Sequence, residues 1–250
     1  RGFTSNGRDT SVTMFDLKTL KPLARLRVGL NPDAIGYDGA SKRVFVMNAG
    51  SASASAIDPA TGTVVGTIML GGQPEEAACD GAGHMYVNLE DTSQVVSVDT
   101  RTLKVLGRWS LAPGQGPTGI ALDRAHGLLF SGCLNSKMVV SDVHKGSVVT
   151  TLPIGARCDG VALDASKGLA FSSNGEGTLT VVREESPSKF SVVANVPTAL
   201  GARTCTFDPA TRRIFLITAQ FGPQPDSTAA QPRPRRPVLP GSFQLMVVGE

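Results

Sequence analysis

The side chains best suited to binding or catalysis occupy one position that recurs every 41 to 44 residues, and we call this set the charged column. Each member lies five residues before an aspartate of a regular series, and one more glutamate follows the second member. The column comprises Asp33, Glu75, Thr118, Asp159 and Arg203, with Glu76 next to Glu75. Carboxylates that share a narrow opening repel one another, so some of their pKa values rise or a cation is recruited. The pattern therefore predicts a site for a cation, which could be a metal, a cationic ligand group or Arg203 itself.

Four asparagines extend this candidate site. They are Asn48, Asn88, Asn135 and Asn174, and they are expected in loops on the same rim as the charged column. An amide both donates and accepts hydrogen bonds, so these residues could bind neutral parts of a ligand. The alternative interpretation is that Arg157 and Arg203 neutralise the acids and that water fills the opening.

Catalytic chemistry has less support in the sequence. A nucleophile needs a base within hydrogen-bond reach, yet no GxSxG motif occurs and the cysteines lack the CxxC spacing of structural zinc sites. The histidines His84, His126 and His144 are expected in tight turns on the opposite face, pointing into solvent. We therefore predict no catalytic residue, no metal ligand set and no cofactor.

Two aspartate series define the repeat that must position the charged column. The first series is Asp16, Asp58, Asp99 and Asp142, with Arg183 in the next slot. The second series is Asp38, Asp80, Asp123, Asp164 and Asp208, with separations of 42, 43, 41 and 44 residues. Aspartate stabilises tight turns by accepting hydrogen bonds from the backbone two or three residues ahead, so both series are expected to be structural.

Each period accommodates four short strands, which is the content of one β-propeller blade. The innermost strands are predicted at 34–37, 77–79, 119–122, 160–163 and 204–207. The chain is thus predicted to be an all-β, single-domain propeller of four-stranded blades, with about six blades represented of an expected seven. A closed six-bladed ring is the alternative, but it would leave unpaired strand edges where the chain ends meet. The blade periods are predicted at 1–31, 32–73, 74–116, 117–157, 158–200 and 201–250. Because inner strands start at one face, here called the top face, the charged column should converge there.

Several pieces of the repeat resemble a known family. The sequences 45–48, 55–58 and 64–72 look like degenerate copies of the YVTN β-propeller repeat, as found in YncE-like proteins. This resemblance implies a seven-bladed, bacterially exported protein, hence a periplasmic or secreted location, and an N-terminally truncated chain in the present case. It does not imply a reaction, because propellers host many activities.

Cys133 and Cys158 occupy top-face positions in adjacent repeats. Cys133 lies three residues after Phe130, at a strand end, and Cys158 lies six before Asp164, in the slot that proline holds in three other repeats. In an oxidising compartment the two could form a disulfide. The alternative is two unpaired thiols.

A proline-rich insert spans 220–242 within the last blade. It carries six prolines, with three arginines at positions 233, 235 and 236. Such composition favours a solvated, extended excursion between two strands, and a lid or docking arm beside the opening is the functional alternative.

Composition narrows the function classes. The formal net charge is +3 with basic residues scattered along the chain, so nucleic acid is not an expected partner. No apolar run approaches the ~20 residues of a membrane-spanning helix. The favoured function is a non-catalytic exported propeller that binds a small ligand or a protein partner at its top face and central channel. The alternative is a lactonase-like hydrolase that uses a divalent cation on the channel axis.

Overall fold

The computed structural model describes residues 1–228, 234 and 236–249, and these form six antiparallel sheets arranged as the blades of a β-propeller. Within each sheet, strands adjacent in sequence pair with each other. The first blade contains β1 (Gly2–Asn6), β2 (Ser11–Phe15) and β3 (Pro22–Arg27). The second contains β4 (Pro32–Asp38), β5 (Arg43–Asn48), β6 (Ser53–Asp58) and β7 (Thr63–Met69). The third contains β8 (Pro74–Cys79), β9 (His84–Leu89), β10 (Gln94–Asp99) and β11 (Lys104–Ser110).

The remaining blades repeat this plan. The fourth contains β12 (Pro117–Asp123), β13 (Leu128–Cys133), β14 (Lys137–Asp142) and β15 (Ser147–Pro153). The fifth contains β16 (Cys158–Asp164), β17 (Leu169–Asn174), β18 (Thr178–Ser186) and β19 (Lys189–Pro197). The sixth contains β20 (Thr204–Asp208), β21 (Arg213–Thr218) and β22 (Gln244–Val248). The predicted all-β propeller class and the five predicted inner strands are confirmed.

Helix is almost absent from the described residues. One short 3-10 turn, Ala49–Ser51, is the only helical element there. None of the described helical segments has the length and apolar character needed to cross a membrane.

The core lies between the faces of neighbouring blades. Second and third strands of the central blades are buried on both faces, as in β5 and β13, whereas outer strands such as β7 are largely exposed. Phe45 and Phe130, which are each the third residue of the second strand in their blades, are fully buried. Tyr86 and Trp109 meet edge to face at 6.1 Å between ring centres. Burial of these side chains on two faces is the main favourable term that stacks the blades.

Both aspartate series stabilise turns as predicted. Asp16 and Asp99 of the first series each accept a hydrogen bond from the backbone N–H three residues ahead, at 2.7 Å. Asp80 and Asp123 of the second series accept one from the N–H two residues ahead, at 2.7 and 2.8 Å. These turns fix where each strand starts.

The proline-rich insert is described in part. Phe221 and Val238 form an isolated antiparallel bridge, and Arg236 Nε donates to the Gly222 carbonyl at 2.8 Å. Pro232, Arg233 and Arg235 lie outside the described residues.

Candidate functional site

Inner strands surround a cavity of about 720 Å³ on the propeller axis. Its wall includes all five charged residues of the predicted site, together with Thr118 of the same column. They come from four different blades, since Asp33 lies in β4, Glu75 and Glu76 in β8, Asp159 in β16, and Arg203 just before β20. The chain thus gathers the charged column at one opening.

A repeated irregularity at the start of the inner strands places the column there. The pairing register shifts between Pro32 and Ile35, between Pro74 and Ala77, between Pro117 and Ile120, and between Cys158 and Gly160. Each shift leaves one extra residue in the inner strand, which is the signature of a β-bulge. A bulge re-aims side chains. The column members of β4, β8, β12 and β16 lie in these bulged stretches, whereas Arg203 precedes β20, whose pairing shows no shift.

Glu75 belongs to a cluster of acids on this wall. Burial, the neighbouring Glu90 and the charge of Asp33 raise the pKa of Glu75 to about 7. Gln73 Nε2 donates to Glu90 Oε2 at 2.9 Å and reaches Glu75 Oε1 at 3.5 Å, so one amide links the two glutamates. Glu90 also lines the cavity. Glu90 was not predicted from the sequence, because it follows the second strand β9 rather than lying in the charged column.

Glu76 joins two blades. Its Oε2 accepts a hydrogen bond from the Ile120 N–H in β12 at 2.9 Å. Burial raises the pKa of Glu76 to about 7, the hydrogen bond from Ile120 opposes this rise, and the charge of Asp159 adds to it. Burial therefore favours the protonated form of Glu76, and a nearby cation would favour its ionised form.

Arg203 compensates only part of the acidic charge. Its Nη1 lies 3.3 Å from Asp159 Oδ1, and Thr204 Oγ1 donates to Asp159 Oδ2 at 3.2 Å. Arg157 instead donates from Nη2 to the Gly175 carbonyl at 2.9 Å. No ion pair to a cationic side chain is found for Asp33, Glu75, Glu76 or Glu90 among the described residues. Of the two arginines that could neutralise the acids, only Arg203 pairs with one of them, Asp159.

The asparagines require a correction of position. Asn48, Asn88 and Asn174 are fully buried inside the blades rather than exposed on the rim. Asn48 Nδ2 donates to Ser55 Oγ at 3.0 Å, and Asn174 Nδ2 donates to Thr180 Oγ1 at the same distance.

Two of the amides connect neighbouring segments. Asn88 Nδ2 bridges to the next blade through the Thr118 and Gly119 carbonyls, at 3.1 and 3.0 Å. Asn135 is only partly buried, and it accepts a hydrogen bond from the Gln115 N–H and donates to the Pro113 carbonyl. Their amides are thus used to brace strands and loops, because the backbone groups beside them need partners.

The two top-face cysteines, Cys133 and Cys158, are not joined by a disulfide. Cys133 and Cys158 are both buried and both are free thiols, which agrees with the alternative of two unpaired thiols and not with the disulfide. Their sulfurs face different groups, since Cys133 Sγ approaches the Ser131 carbonyl while Cys158 Sγ accepts from Ser172 Oγ at 3.2 Å. Burial raises the pKa of each thiol to about 12. Neither is therefore activated as a nucleophile.

Comparison with known proteins places the chain by fold alone. No protein-family model matches the sequence, and no curated protein matches it either. A protein of unknown function from Desulfotomaculum acetoxidans superposes with a TM-score of 0.76 and 13% identity, over 87% of this chain and 72% of that one. The Cps50 (Swd1) β-propeller domain of Myceliophteria thermophila gives 0.70 and 13%, over 86% and 75%.

A crystal structure of the mitotic checkpoint complex contains a third similar chain, with a TM-score of 0.74 and 12% identity. The match covers 83% of this chain and 65% of that one, which is less than two thirds of its length. Identities this low establish a shared propeller fold with WD40-like structures and nothing about activity.

Proposed function

We propose that the protein is a non-catalytic binding propeller whose channel captures a positively charged group of a small ligand or of a protein partner. The observation that carries this proposal is the composition of the cavity wall. Five carboxylates, from Asp33, Glu75, Glu76, Glu90 and Asp159, face one guanidinium, from Arg203. When all are ionised, five negative charges against one positive charge leave an excess of four, which favours a cationic occupant.

The size of the cavity favours an organic cation over a bare ion. About 720 Å³ lies within the usual range of small-molecule sites, roughly 300–1,000 Å³. A basic side chain or a polyamine would fill far more of this space than one metal ion would. The apolar part of the wall, including Met47 and Ile35, would contact the methylene groups between its charges.

The arrangement of the channel acids does not favour the hydrolase alternative. A lactonase-like mechanism would need several ligands around one cation on the axis. Among the described residues, only one group of three His, Cys, Asp or Glu side chains has ligand atoms within 4.8 Å of one another, and it lies away from the cavity wall.

In its finer part, this proposal states that the protein belongs to the YVTN repeat family, is similar to YncE-like proteins and is exported from a bacterial cell. The support is the repeat itself, with its two regular aspartate series and the YVTN-like segments 45–48, 55–58 and 64–72. Cell fractionation of the native host protein tests export, because finding it only in the cytoplasmic fraction would contradict that part.

A thermal-shift screen tests the ligand class. The trivalent amine spermidine should raise the melting temperature at pH 8, since a ligand that binds only the folded state stabilises it, whereas citrate and glucose should not. Glu75→Gln should remove most of the spermidine effect. Glu185→Gln provides the matched control, because it deletes the same charge from an exposed ion pair with Lys189. An equal effect of spermidine on both variants would overturn the proposal.

A further inference from the structure

A second charged cluster lies on the opposite face of the propeller, between the fourth and fifth blades. Asp123 ends β12, His126 lies in the turn that follows, and Glu184 lies in β18 of the next blade. His126 Nδ1 lies 2.8 Å from Asp123 Oδ2 and 2.7 Å from Glu184 Oε1. One ligand atom from each side chain lies within 4.8 Å of the other two. From the sequence, His126 was expected to point into solvent, and Glu184 was not among the predicted site residues.

The position of Glu184 has equivalents in two other blades. In all three blades, this residue comes directly after the first-series position, which is Asp99, Asp142 or Arg183. Its backbone N–H donates to the carbonyl of the glycine that precedes the second strand. These hydrogen bonds join Thr100 to Gly83 at 2.9 Å, Val143 to Gly127 at 3.0 Å, and Glu184 to Gly168 at 2.8 Å. The repeat therefore offers the same slot three times, with three different side chains.

The comparison with Thr100 shows what is unusual about Glu184. Thr100 Oγ1 donates to the buried Asp38 Oδ2 in the preceding blade at 2.7 Å, so a neutral hydroxyl satisfies that carboxylate. In the fifth blade a second carboxylate takes the place of the hydroxyl. The side chains of Asp123 and Glu184 are each only 4% exposed. Two buried carboxylates in contact are unfavourable unless positive charge accompanies them.

His126 cannot satisfy both carboxylates. Its Nδ1 carries at most one hydrogen, which Asp123 and Glu184 would have to share. Neither oxygen of Glu184 accepts a hydrogen bond of good geometry, although Oε1 lies 2.7 Å from His126 Nδ1. Burial and the charge of Asp123 raise the pKa of Glu184, while the hydrogen bond to Asp123 raises the pKa of His126. The cluster thus has unused acceptor atoms that face a shared centre.

We propose that Asp123, His126 and Glu184 bind a divalent transition-metal ion of the zinc type between the fourth and fifth blades. Imidazole and carboxylate are ligands that zinc accepts, at about 2.0–2.2 Å, and three protein ligands leave a fourth position for water. The ion would neutralise the two buried acids and connect adjacent blades. This site is independent of the channel, because none of its residues lines that cavity.

The third blade supplies a matched control within the same chain. His84 Nδ1 lies 2.8 Å from Asp80 Oδ2, and the exposed fraction of its side chain, 47%, is close to the 48% of His126. The residue equivalent to Glu184, which would have to supply the third ligand there, is Val143. An Asp–His pair without the glutamate is thus present on the same face of the same protein.

Titration of the metal-free full chain with Zn²⁺ in a calorimeter tests the proposal. The wild type should bind one equivalent in this site. Glu184→Thr, which reproduces the Thr100 arrangement, should weaken Zn²⁺ binding at least about tenfold. Removing a residue that only hydrogen-bonds to a metal ligand already costs about that much, and Glu184 would be a ligand itself. His126→Ala, in an exposed turn, should do the same, and His84→Ala should leave binding unchanged.

Two results would overturn the proposal. One is a wild-type protein that takes up no Zn²⁺, in which case His126 alone serves the two acids as an ion pair. The other is equal affinity in wild type, Glu184→Thr and His126→Ala. Glu75→Gln separates this site from the channel, since it should alter spermidine binding while Zn²⁺ binding to the Asp123 cluster persists.

Discussion

At the scale of single residues, Glu75 and Glu76 show how position changes the behaviour of an ordinary carboxyl group. The pKa of each rises from 4.5 to about 7, with burial as the largest cause. They therefore hold protons at a pH at which exposed glutamates are ionised. A cation entering the channel would have to displace those protons, so its binding should strengthen as the pH rises through about 7.

The same shift predicts how stability depends on pH. Because the pKa of Glu76 is higher in the folded than in the unfolded chain, the folded state binds more protons between pH 4.5 and about 7. This contribution is complete below 4.5 and is lost as the pH rises through about 7. As the pH rises across that window, the free energy of unfolding of the wild type should therefore decrease. In Glu76→Gln, whose amide oxygen can still accept the Ile120 N–H, this decrease should be smaller by roughly 1–3 kcal/mol.

Urea denaturation at pH 5 and pH 8 measures the difference. His126, whose pKa is also raised, contributes a slope of the same sign, so the comparison is between wild type and Glu76→Gln rather than between pH values alone. Parallel pH profiles for the two proteins would contradict the assignment of Glu76 as a titrating buried acid.

At the scale of elements, the start of each inner strand decides what the cavity can accommodate. The position four before the second-series aspartate holds Ala34, Glu76, Gly119, Gly160 and Thr204 in successive blades. At Gly119 a Cβ would lie 2.5 Å from the Val161 nitrogen and 2.6 Å from the Gly160 carbonyl carbon. The fourth and fifth blades therefore approach each other closely only because this residue is glycine.

A pair of alanine substitutions tests that close approach. Gly119→Ala should destabilise the fold by roughly 1–3 kcal/mol, because backbone must move to admit the methyl group. Gly36→Ala in β4 is the control, since no atom of the described residues lies within 4 Å of its Cβ position, and it should leave stability within about 0.5 kcal/mol. Equal thermal midpoints for the two variants would contradict the described packing.

The elements were the most predictable part of the protein. The spacing of the aspartates set the period, and the turn chemistry of residues such as Asp80 and Asp123 fixed the strand starts. Side-chain partners across blades were less predictable, because they depend on which residue the neighbouring blade places opposite. Asn88, which bonds to the next blade, and Glu184, which meets Asp123, stand in no column of their own residue type and so gave no periodic signal.

At the scale of the whole molecule, the charge is distributed unevenly. The chain carries a formal net charge of +3, yet its axial cavity has five carboxylates and one guanidinium on its wall. The overall charge would repel a cation weakly, while the local field of the channel would attract it. Selective uptake of a polyamine would therefore report the channel rather than the general surface.

Calorimetric titration of spermidine into wild type and Glu76→Gln at pH 8 tests the proposed channel site most directly. We expect a single site in the wild type. Binding should be weaker in Glu76→Gln, because that variant removes one buried negative charge and keeps an oxygen that can accept the Ile120 N–H. Absence of binding to the wild type, or the same affinity in both proteins, would contradict a cation-binding channel.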